Sequence, residues 1–249
     1  MNENFLNETF SADRQPIIRI KNLVKEYQIY GGNINVVLQG VTLDIYAGEF
    51  LAITGHSGSG KTTLLNLIGL IDKPNSGEIW IENHNTNELS EKEKENLRLK
   101  SMGFIFQFFN LIDNYTALEN IVFQLQLQGY GGRPAEEKAA QILDFLGLKA
   151  MADLYPRVLS GGEQQRIAVG RAMAKDSTII LADEPTAHLD SKNSQNIISL
   201  LRDINLRFKK TIILVTHEEL YAKQADRMVV LQDGRVVKIE SAKPETVLK

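Results

Sequence analysis

The fold of this chain is decided by the stretch Gly55-His56-Ser57-Gly58-Ser59-Gly60-Lys61-Thr62, which fits the pattern G-x-x-x-x-G-K-[ST] in full. The stretch follows the apolar run 50–53 and precedes the helical run 63–68, as a phosphate-binding loop must. Its glycines let backbone N–H groups converge on phosphate oxygens, and the positive end of the helix dipole favours the same anion. The stretch therefore predicts a strand, a phosphate-binding loop and a helix. A glycine-rich turn that binds no nucleotide is the alternative.

The loop supplies the first candidate binding residues. The Lys61 ammonium would reach the β- and γ-phosphates of a nucleotide, and the Thr62 hydroxyl would be a ligand of Mg²⁺. With the next residue of the helix included, the candidate nucleotide-binding residues are Gly55, His56, Ser57, Gly58, Ser59, Gly60, Lys61, Thr62 and Thr63.

Short apolar runs alternate with helical stretches on both sides of the loop. The runs lie at 17–20, 36–45, 50–53, 179–182, 212–215 and 228–231, and helical periodicity marks 135–146, 163–174 and 191–208. The last helix is predicted to bury one face, formed by Ile197, Leu201, Ile204 and Phe208. Residues 108–162 show helical periodicity without a convincing strand. This pattern predicts an α/β fold with a mostly parallel sheet and an inserted α-helical subdomain.

Composition excludes several classes of protein. The 249 residues carry 28 Lys and Arg against 31 Asp and Glu, so a net charge of −3 gives no reason to expect nucleic acid as the main partner. The absence of Cys excludes a disulfide scaffold and Cys-ligated metal sites. The longest apolar run has four residues, far short of the roughly 20 that span a bilayer. We expect no secretory signal in residues 1–16.

Two adjacent carboxylates follow the apolar run 179–182. Because neighbouring residues of a strand point to opposite sides, Asp183 and Glu184 are expected to have different tasks. Asp183 is suited to hold the water shell of Mg²⁺, and Glu184 is suited to polarise an attacking water as a general base. A solvated loop start is the alternative for such a pair.

A second glycine-containing motif lies at Leu159-Ser160-Gly161-Gly162-Glu163-Gln164-Gln165-Arg166. One interpretation is a capping box, in which Ser160 and Glu163 close the start of a helix. The two glycines also leave N–H groups at a helix N-terminus, which would form a second anion site. The motif resembles the signature sequence of ATP-binding-cassette (ABC) ATPases, and residues 17–240 follow the order of motifs in that family. The resemblance implies a RecA-like P-loop NTPase core with an N-terminal antiparallel β region, and ATP and Mg²⁺ as ligands.

Further positions take candidate roles from this resemblance. Gln107 resembles the Q-loop glutamine, which binds Mg²⁺ and senses the γ-phosphate, and Asp190 belongs to a stretch that resembles the D-loop facing the opposite monomer. His217 resembles the switch histidine that contacts the γ-phosphate. Tyr27 resembles the aromatic residue that stacks on adenine, with Tyr30 as a competitor. A surface glutamine, a structural histidine and an edge-strand tyrosine are the alternatives.

The resemblance groups the candidate residues by task. The candidate catalytic residues are Lys61, Gln107, Glu184 and His217. The candidate Mg²⁺ ligands are Thr62, Gln107 and Asp183. The signature residues expected to contact the ATP of the opposite copy are Ser160, Gly161, Gly162 and Glu163. His56 and His188 depart from the family pattern and put fine tuning of the rate in doubt, not the activity.

The same pattern predicts how the chain is organised. It comprises a mobile tail at 1–16, a first part of the ATP-binding core at 17–107, a helical subdomain at 108–162, a second part of the core at 163–240, and a tail at 241–249.

The two predicted anion sites are 105 residues apart, and one compact domain cannot readily fold both around the same nucleotide. The resemblance implies a homodimer that forms when ATP is bound. Each ATP then lies between Lys61 of one copy and Ser160 of the other, related by a two-fold axis. Hydrolysis removes the shared γ-phosphate and opens the dimer.

The resemblance also implies a partner and a place in the cell. The partner is a membrane-spanning permease-type subunit that docks near Gln107 to Asp113 and holds the chain at the cytoplasmic face of the inner membrane. The helix at 90–100 and the run 108–111 are most similar to the macrolide-exporter and lipoprotein-release branch. A solute importer, a cell-division ATPase, a soluble ABC ATPase acting on nucleic acid and a non-hydrolysing scaffold are the alternatives. We expect no direct binding of nucleic acid.

Overall fold

The computed structural model describes residues 15–28 and 31–241. Its strands, in chain order, are β1 Pro16–Gln28, β2 Ile34–Tyr46, β3 Phe50–Thr54, β4 Ser76–Ile81, β5 His84–Asn85, β6 Met102–Ile105, β7 Ile179–Asp183, β8 Thr211–Val215, β9 Arg227–Gln232 and β10 Arg235–Ser241. Its helices are α1 Lys61–Ile68, α2 Glu91–Ser101, α3 Ala117–Gln126, α4 Gly132–Phe145, α5 Gly161–Ala174, α6 Ser191–Phe208 and α7 Glu219–Ala222. Within the described ranges, every helix is too short or too polar to cross a bilayer.

The strands form two sheets. One is antiparallel, with the order β2-β1-β4-β5. The other has the order β10-β9-β3-β8-β7-β6, and its strands run parallel except β10, which is antiparallel to β9. Because the ends of parallel strands meet at one edge of a sheet, the loops after β3, β7 and β8 lie side by side.

Successive side chains of the central sheet point to its two faces, and each face packs into a separate hydrophobic core. Leu51 and Ile53 of β3 pack with α1 and the antiparallel sheet, whereas Phe50 and Ala52 face a second core that includes α5 and α6. All four side chains are fully buried. A strand buried on both faces must be apolar throughout, which explains the continuous apolar runs.

Helices α3, α4 and α5 pack together as the helical region between β6 and β7. The starts of α2, α3 and α5 carry capping boxes, which satisfy backbone N–H groups that a helix leaves unpaired. The predicted α/β class, with a mostly parallel sheet, an N-terminal antiparallel region and inserted helices, is confirmed.

The structure differs from the sequence-based prediction in four strands. β4, β5, β6 and β10 were not predicted, since β5 and β6 have only two and four residues and β10 is largely exposed. The domain boundaries stay predictions, and residues 1–14 and 242–249 of the two predicted tails lie outside the described residues. Pro16 and Ser241, which were assigned to those tails, belong to β1 and β10.

Helix α6 has the predicted bounds, with Asp190 as its N-cap. Ile197, Leu201 and Ile204 are buried as predicted, but Phe208 is 50% exposed. Phe208 is the last helical residue, so its ring lies at the edge of the core, where it makes an edge-on contact with Phe145 at 5.5 Å between centroids. The prediction of a buried Phe208 was wrong because periodicity does not locate the end of the core.

Candidate active site

The phosphate loop connects β3 to α1, and two of its glycines are required by close packing. A methyl group on Gly55 would lie 2.1 Å from the Leu231 carbonyl oxygen, and one on Gly60 would lie 2.8 Å from the Leu38 side chain. Gly60 has φ +101°, in the left-handed region that favours glycine. The loop is therefore held against β2 and β9 by contacts that exclude larger residues.

Lys61 begins α1 and is 7% exposed. Its Nζ donates hydrogen bonds of 2.9 Å to the carbonyl oxygens of Gly55 and His56. The ammonium is thus held inside the curve of the loop, beside the backbone that the motif predicts to surround phosphates.

A hydroxyl and a carboxylate meet beside the loop. Thr62 Oγ1 donates a hydrogen bond of 3.0 Å to Asp183 Oδ1 at the end of β7. Burial raises the pKa of the Asp183 carboxyl, and the Glu184 carboxylate acts in the same direction, against the hydrogen bond from Thr62 and the charge of Lys61. A buried carboxylate whose charge is disfavoured is suited to receive a cation.

Glu184 faces a different partner. His217 Nδ1 lies 2.9 Å from Glu184 Oε2, and the Glu184 side chain is only 15% exposed. Asp183 and Glu184 have different partners, as predicted, but the alternation of side chains along a strand is not the cause. Strand β7 ends at Asp183, and Glu184 has φ +46°, which turns the chain out of the strand.

Lys61, Thr62, Glu184 and His217 line one cavity of about 950 Å³, and Asp183 is connected to it through its hydrogen bond with Thr62. Eight residues predicted from the sequence line it beyond the loop glycines: His56, Ser57, Lys61, Thr62, Thr63, Gln107, Glu184 and His217. Asn35, Val37 and Glu219 also line the cavity and were missed. Glu219 could have been found from the sequence, because it lies two residues after the predicted site residue His217. Asn35 could not, because the pairing of β1 with β2 brings it to the site.

The signature turn lies elsewhere in the molecule. Within the described residues, the lining of the cavity does not include 160–163. Ser160 Oγ lies 2.6 Å from Glu163 Oε2, to which it donates, so the capping box is present. Hydrogen bonds from the Ser160 side chain and backbone lower the pKa of Glu163. A methyl group on Gly162 would lie 2.5 Å from Asn193 Oδ1, so the turn packs against the start of α6.

Three further residues singled out from the sequence, His56, His188 and Asp190, have contacts of their own. His56 Nδ1 lies 2.8 Å from the Ser57 carbonyl oxygen, and its Nε2 lies 3.4 Å from Asp233. The His188 ring stacks on Phe108 at 4.8 Å between centroids. Asp190 accepts a hydrogen bond of 2.9 Å from Asn193 N.

Tyr27 is outside the cavity lining, but its direct partner across β1 and β2, Asn35, is inside it. Its competitor Tyr30 lies outside the described residues.

Comparisons with known proteins identify the fold family. The family model described as "ABC transporter" matches residues 38–187. The ATP-binding protein MJ0796 of Methanocaldococcus jannaschii is 42% identical over 90% of this chain and 97% of its own length. The chain belongs to the ABC transporter family. It is an ATP-binding cassette, whose reaction is the hydrolysis of ATP.

Other relatives agree with the predicted branch. The lipoprotein-releasing ATP-binding protein LolD of Blochmanniella floridana is 41% identical over 89% of this chain and 94% of its own length. The macrolide export ATP-binding/permease protein MacB of Haemophilus ducreyi is 40% identical over 95% of this chain, which covers 34% of MacB. The solved structure of dimeric MJ0796 superposes with a TM-score of 0.84, covering 91% of this chain and 99% of that one. The resemblance to this family is confirmed.

Proposed function

We propose that two copies of this cassette close around two ATP molecules, and that closure and opening drive a membrane-spanning partner. One observation carries the proposal: the cavity that contains Lys61 and Glu184 and the helix N-terminus at Ser160 are separate places on one chain. A two-fold pair would bring each cavity to the other copy's signature turn. A solved structure of MJ0796, 41% identical, is described as a dimer bound to ADP and Pi, which supports this arrangement.

The cavity residues divide the work of hydrolysis. Lys61 would bind the β- and γ-phosphates and stabilise the charge that develops on them. Glu184 would take a proton from the attacking water, and His217, at 2.9 Å, would hold the Glu184 carboxylate in position. Tyr27 would stack on the adenine ring at the outer end of the cavity.

The donor set fits Mg²⁺. Thr62 and Asp183 offer a hydroxyl and a carboxylate oxygen that already lie 3.0 Å apart, and Gln107 adds an amide oxygen in the same cavity. Oxygen ligands of this kind are those that Mg²⁺ prefers. The ion, when bound, neutralises charge on the phosphates.

The partner would dock in the groove beside the segment from Gln107 to Asp113. A hollow of about 160 Å³ there is lined by Phe104, Phe106, Phe109, Asn110, Gln124, Ala168, Arg171, Ala172 and Lys175. Burial lowers the pKa of both Arg171 and Lys175. Arg171 donates a hydrogen bond to the Asn110 carbonyl oxygen and Lys175 to the Met102 carbonyl oxygen, and no carboxylate is among these lining residues. The positive charge of the hollow therefore favours a partner segment that presents acidic side chains.

The relatives support a transport output. MacB, by its description, is an ATP-binding/permease protein for macrolide export, and LolD belongs to a lipoprotein-releasing system. We infer a permease-type partner for this chain, which would hold it at the cytoplasmic face of the inner membrane. The output would be export, lipoprotein release or mechanical work on that partner.

Glu184→Gln tests the composite site. Removing the general base is expected to lower turnover by about 10²- to 10⁴-fold and to prolong the ATP-bound dimer, measured by light scattering with Mg·ATP. Ser160→Arg in the same background should leave ATP binding by the monomer intact and abolish the dimer. Turnover at the wild-type rate in Glu184→Gln would refute the assignment of the base.

Sedimentation with membranes tests the partner. The cassette should sediment with host membranes only when its permease is present, and Lys175→Gln should weaken this while ATP binding in solution is unchanged. ATPase activity stimulated by nucleic acid, without membrane association, would contradict the proposal.

A further inference from the structure

Tyr27 is tied to the core by a carboxylate that the family motifs do not include. Its hydroxyl donates a hydrogen bond of 2.7 Å to Asp72 Oδ2, in the segment between α1 and β4. The other oxygen of Asp72 accepts hydrogen bonds of 2.7 Å from Lys25 Nζ and from the Lys73 backbone N–H. Lys25 also donates to the Lys73 carbonyl oxygen at 2.7 Å. The contacts with Lys25 and Lys73 thus fix the Asp72 carboxylate in the position from which it accepts the Tyr27 hydrogen bond.

Lys25 has a second contact, with the ring itself. Its ammonium lies 4.7 Å from the centroid of Tyr27, over one face of the ring. The Lys25 side chain is only 10% exposed, whereas Tyr27 is 39% exposed. One ring face is therefore covered by a cation, and a planar ligand would stack on the opposite face.

The ring lies at the edge of the nucleotide cavity. Tyr27 is paired with Asn35 across β1 and β2, and directly paired residues of antiparallel strands place their side chains on the same side of the sheet. Asn35 lines the cavity.

The protonation states favour this arrangement. Burial and the hydrogen bond to Asp72 raise the pKa of the Tyr27 phenol, which therefore stays protonated and donates. Burial also acts to raise the pKa of Asp72, but the hydrogen bonds from Lys25 and Tyr27 outweigh it and the pKa is lowered. Asp72 is thus an ionised acceptor at neutral pH.

We propose that Asp72 and Lys25 are positioning residues for base recognition. Asp72 fixes the direction of the Tyr27 ring through its hydroxyl, and Lys25 closes the rear face, so that the adenine base has one prepared stacking surface. The inference rests on the proposed role of Tyr27 in stacking on adenine and goes one step beyond it. It makes the hydroxyl of Tyr27 functional, which stacking alone does not require.

Binding of Mg·ADP and of Mg·pyrophosphate, compared by calorimetry, separates base recognition from phosphate binding. Tyr27→Phe keeps the ring but removes the bond to Asp72. It should weaken ADP binding by about three- to tenfold and leave pyrophosphate binding unchanged. Asp72→Ala should have the same effect. Tyr27→Ala should weaken ADP binding by about tenfold or more, since the stacking surface is lost.

The chain contains a matched control. Tyr130 donates a hydrogen bond of 3.2 Å to Asp176, and Lys138 lies 4.3 Å from the centroid of its ring, so the same triad of residue types occurs away from the cavity. Tyr130→Phe should leave the affinity for ADP and for pyrophosphate unchanged.

Each outcome identifies which idea fails. If Tyr27→Ala binds ADP like the unaltered chain, stacking by Tyr27 is wrong. If Tyr27→Ala is impaired but Tyr27→Phe is not, stacking stands and positioning by Asp72 is wrong. A parallel loss of pyrophosphate binding in Tyr27→Phe would mean a general disturbance of the cavity, and would also overturn the inference. Tyr27→Phe decides the matter even if Asp72→Ala does not fold, because it removes a single hydroxyl.

Discussion

Gly234 braces the phosphate loop from the turn between β9 and β10, and Gly234→Ala should break this brace. The Gly234 backbone N–H donates a hydrogen bond of 3.1 Å to the Ser59 carbonyl oxygen, and its own carbonyl accepts one of 2.8 Å from Gln39 N. Gly234 has φ +75°, and a methyl group there would lie 2.3 Å from the Val37 carbonyl oxygen. The turn must therefore shift by about 1 Å to restore ordinary contact.

Two costs follow from this geometry. The left-handed backbone conformation costs about 1–2 kcal/mol for alanine, and the forced contact adds about 1–3 kcal/mol of overpacking. Gly147→Ala isolates the first cost, since Gly147 has φ +68° and no atom within 4 Å of the added methyl group. We expect Gly234→Ala to lower the free energy of unfolding by about 2–5 kcal/mol, against about 1–2 kcal/mol for the control.

Denaturant unfolding measures the stability difference, and titration with Mg·ADP measures the functional one. Because the shifted turn pulls on the Ser59 carbonyl, ADP affinity should fall about tenfold in Gly234→Ala, the size expected from the loss of one hydrogen bond and its geometry. Gly147→Ala should bind ADP normally. Equal unfolding free energies in the two variants would refute the clash, and equal ADP affinities would refute the brace.

Three further substitutions test the site and the core. Asp183→Asn should abolish most turnover. It should also stabilise the nucleotide-free protein at pH values above the raised pKa of Asp183, because folding disfavours the charge of this carboxylate. Thermal melts across pH should show that this gain in stability vanishes below about pH 3.9, the usual aspartate pKa. Lys61→Ala should weaken ATP binding by about 10- to 100-fold in a titration, since charged hydrogen bonds are lost; normal affinity would contradict its role. Phe208→Ala should cost about 1 kcal/mol in denaturant unfolding, against about 3–5 for a buried phenylalanine.

The sequence predicted those parts of the fold whose physical cause is local. Six predicted runs became strands. β3, β7 and β8 are continuous apolar runs because a strand buried on both faces must be apolar throughout, whereas β1 and β2 alternate because one face is exposed. β4 was missed although Ile79 and Ile81 alternate with less buried neighbours, a period-2 signal that its leading Ser-Gly obscured. β10 is largely exposed at a sheet edge, where burial imposes no single hydrophobic pattern on the strand.

The site shows the same division. Lys61 and Thr62 were predictable because eight consecutive residues form the loop, and Glu184 because a strand end precedes it. Asp72 and Gly234 could not be predicted, since their contacts are made with residues 45 and 175 positions away in the chain. The backbone turn at Glu184 was also invisible, and only the structure shows that it separates the two carboxylates.

The two sheets contribute different chemistry to one cavity. The parallel sheet supplies the groups directed at phosphate, because the loops after β3, β7 and β8 emerge at one edge and bring Lys61, Glu184 and His217 together. The antiparallel sheet supplies Asn35 and, just outside the lining, Tyr27. We therefore expect substitutions in the parallel sheet's loops to weaken the binding of ADP and of pyrophosphate alike, whereas substitutions around Tyr27 should weaken only the binding of the ligand that carries a base. The ratio of the two affinities therefore reports which sheet a substitution has disturbed.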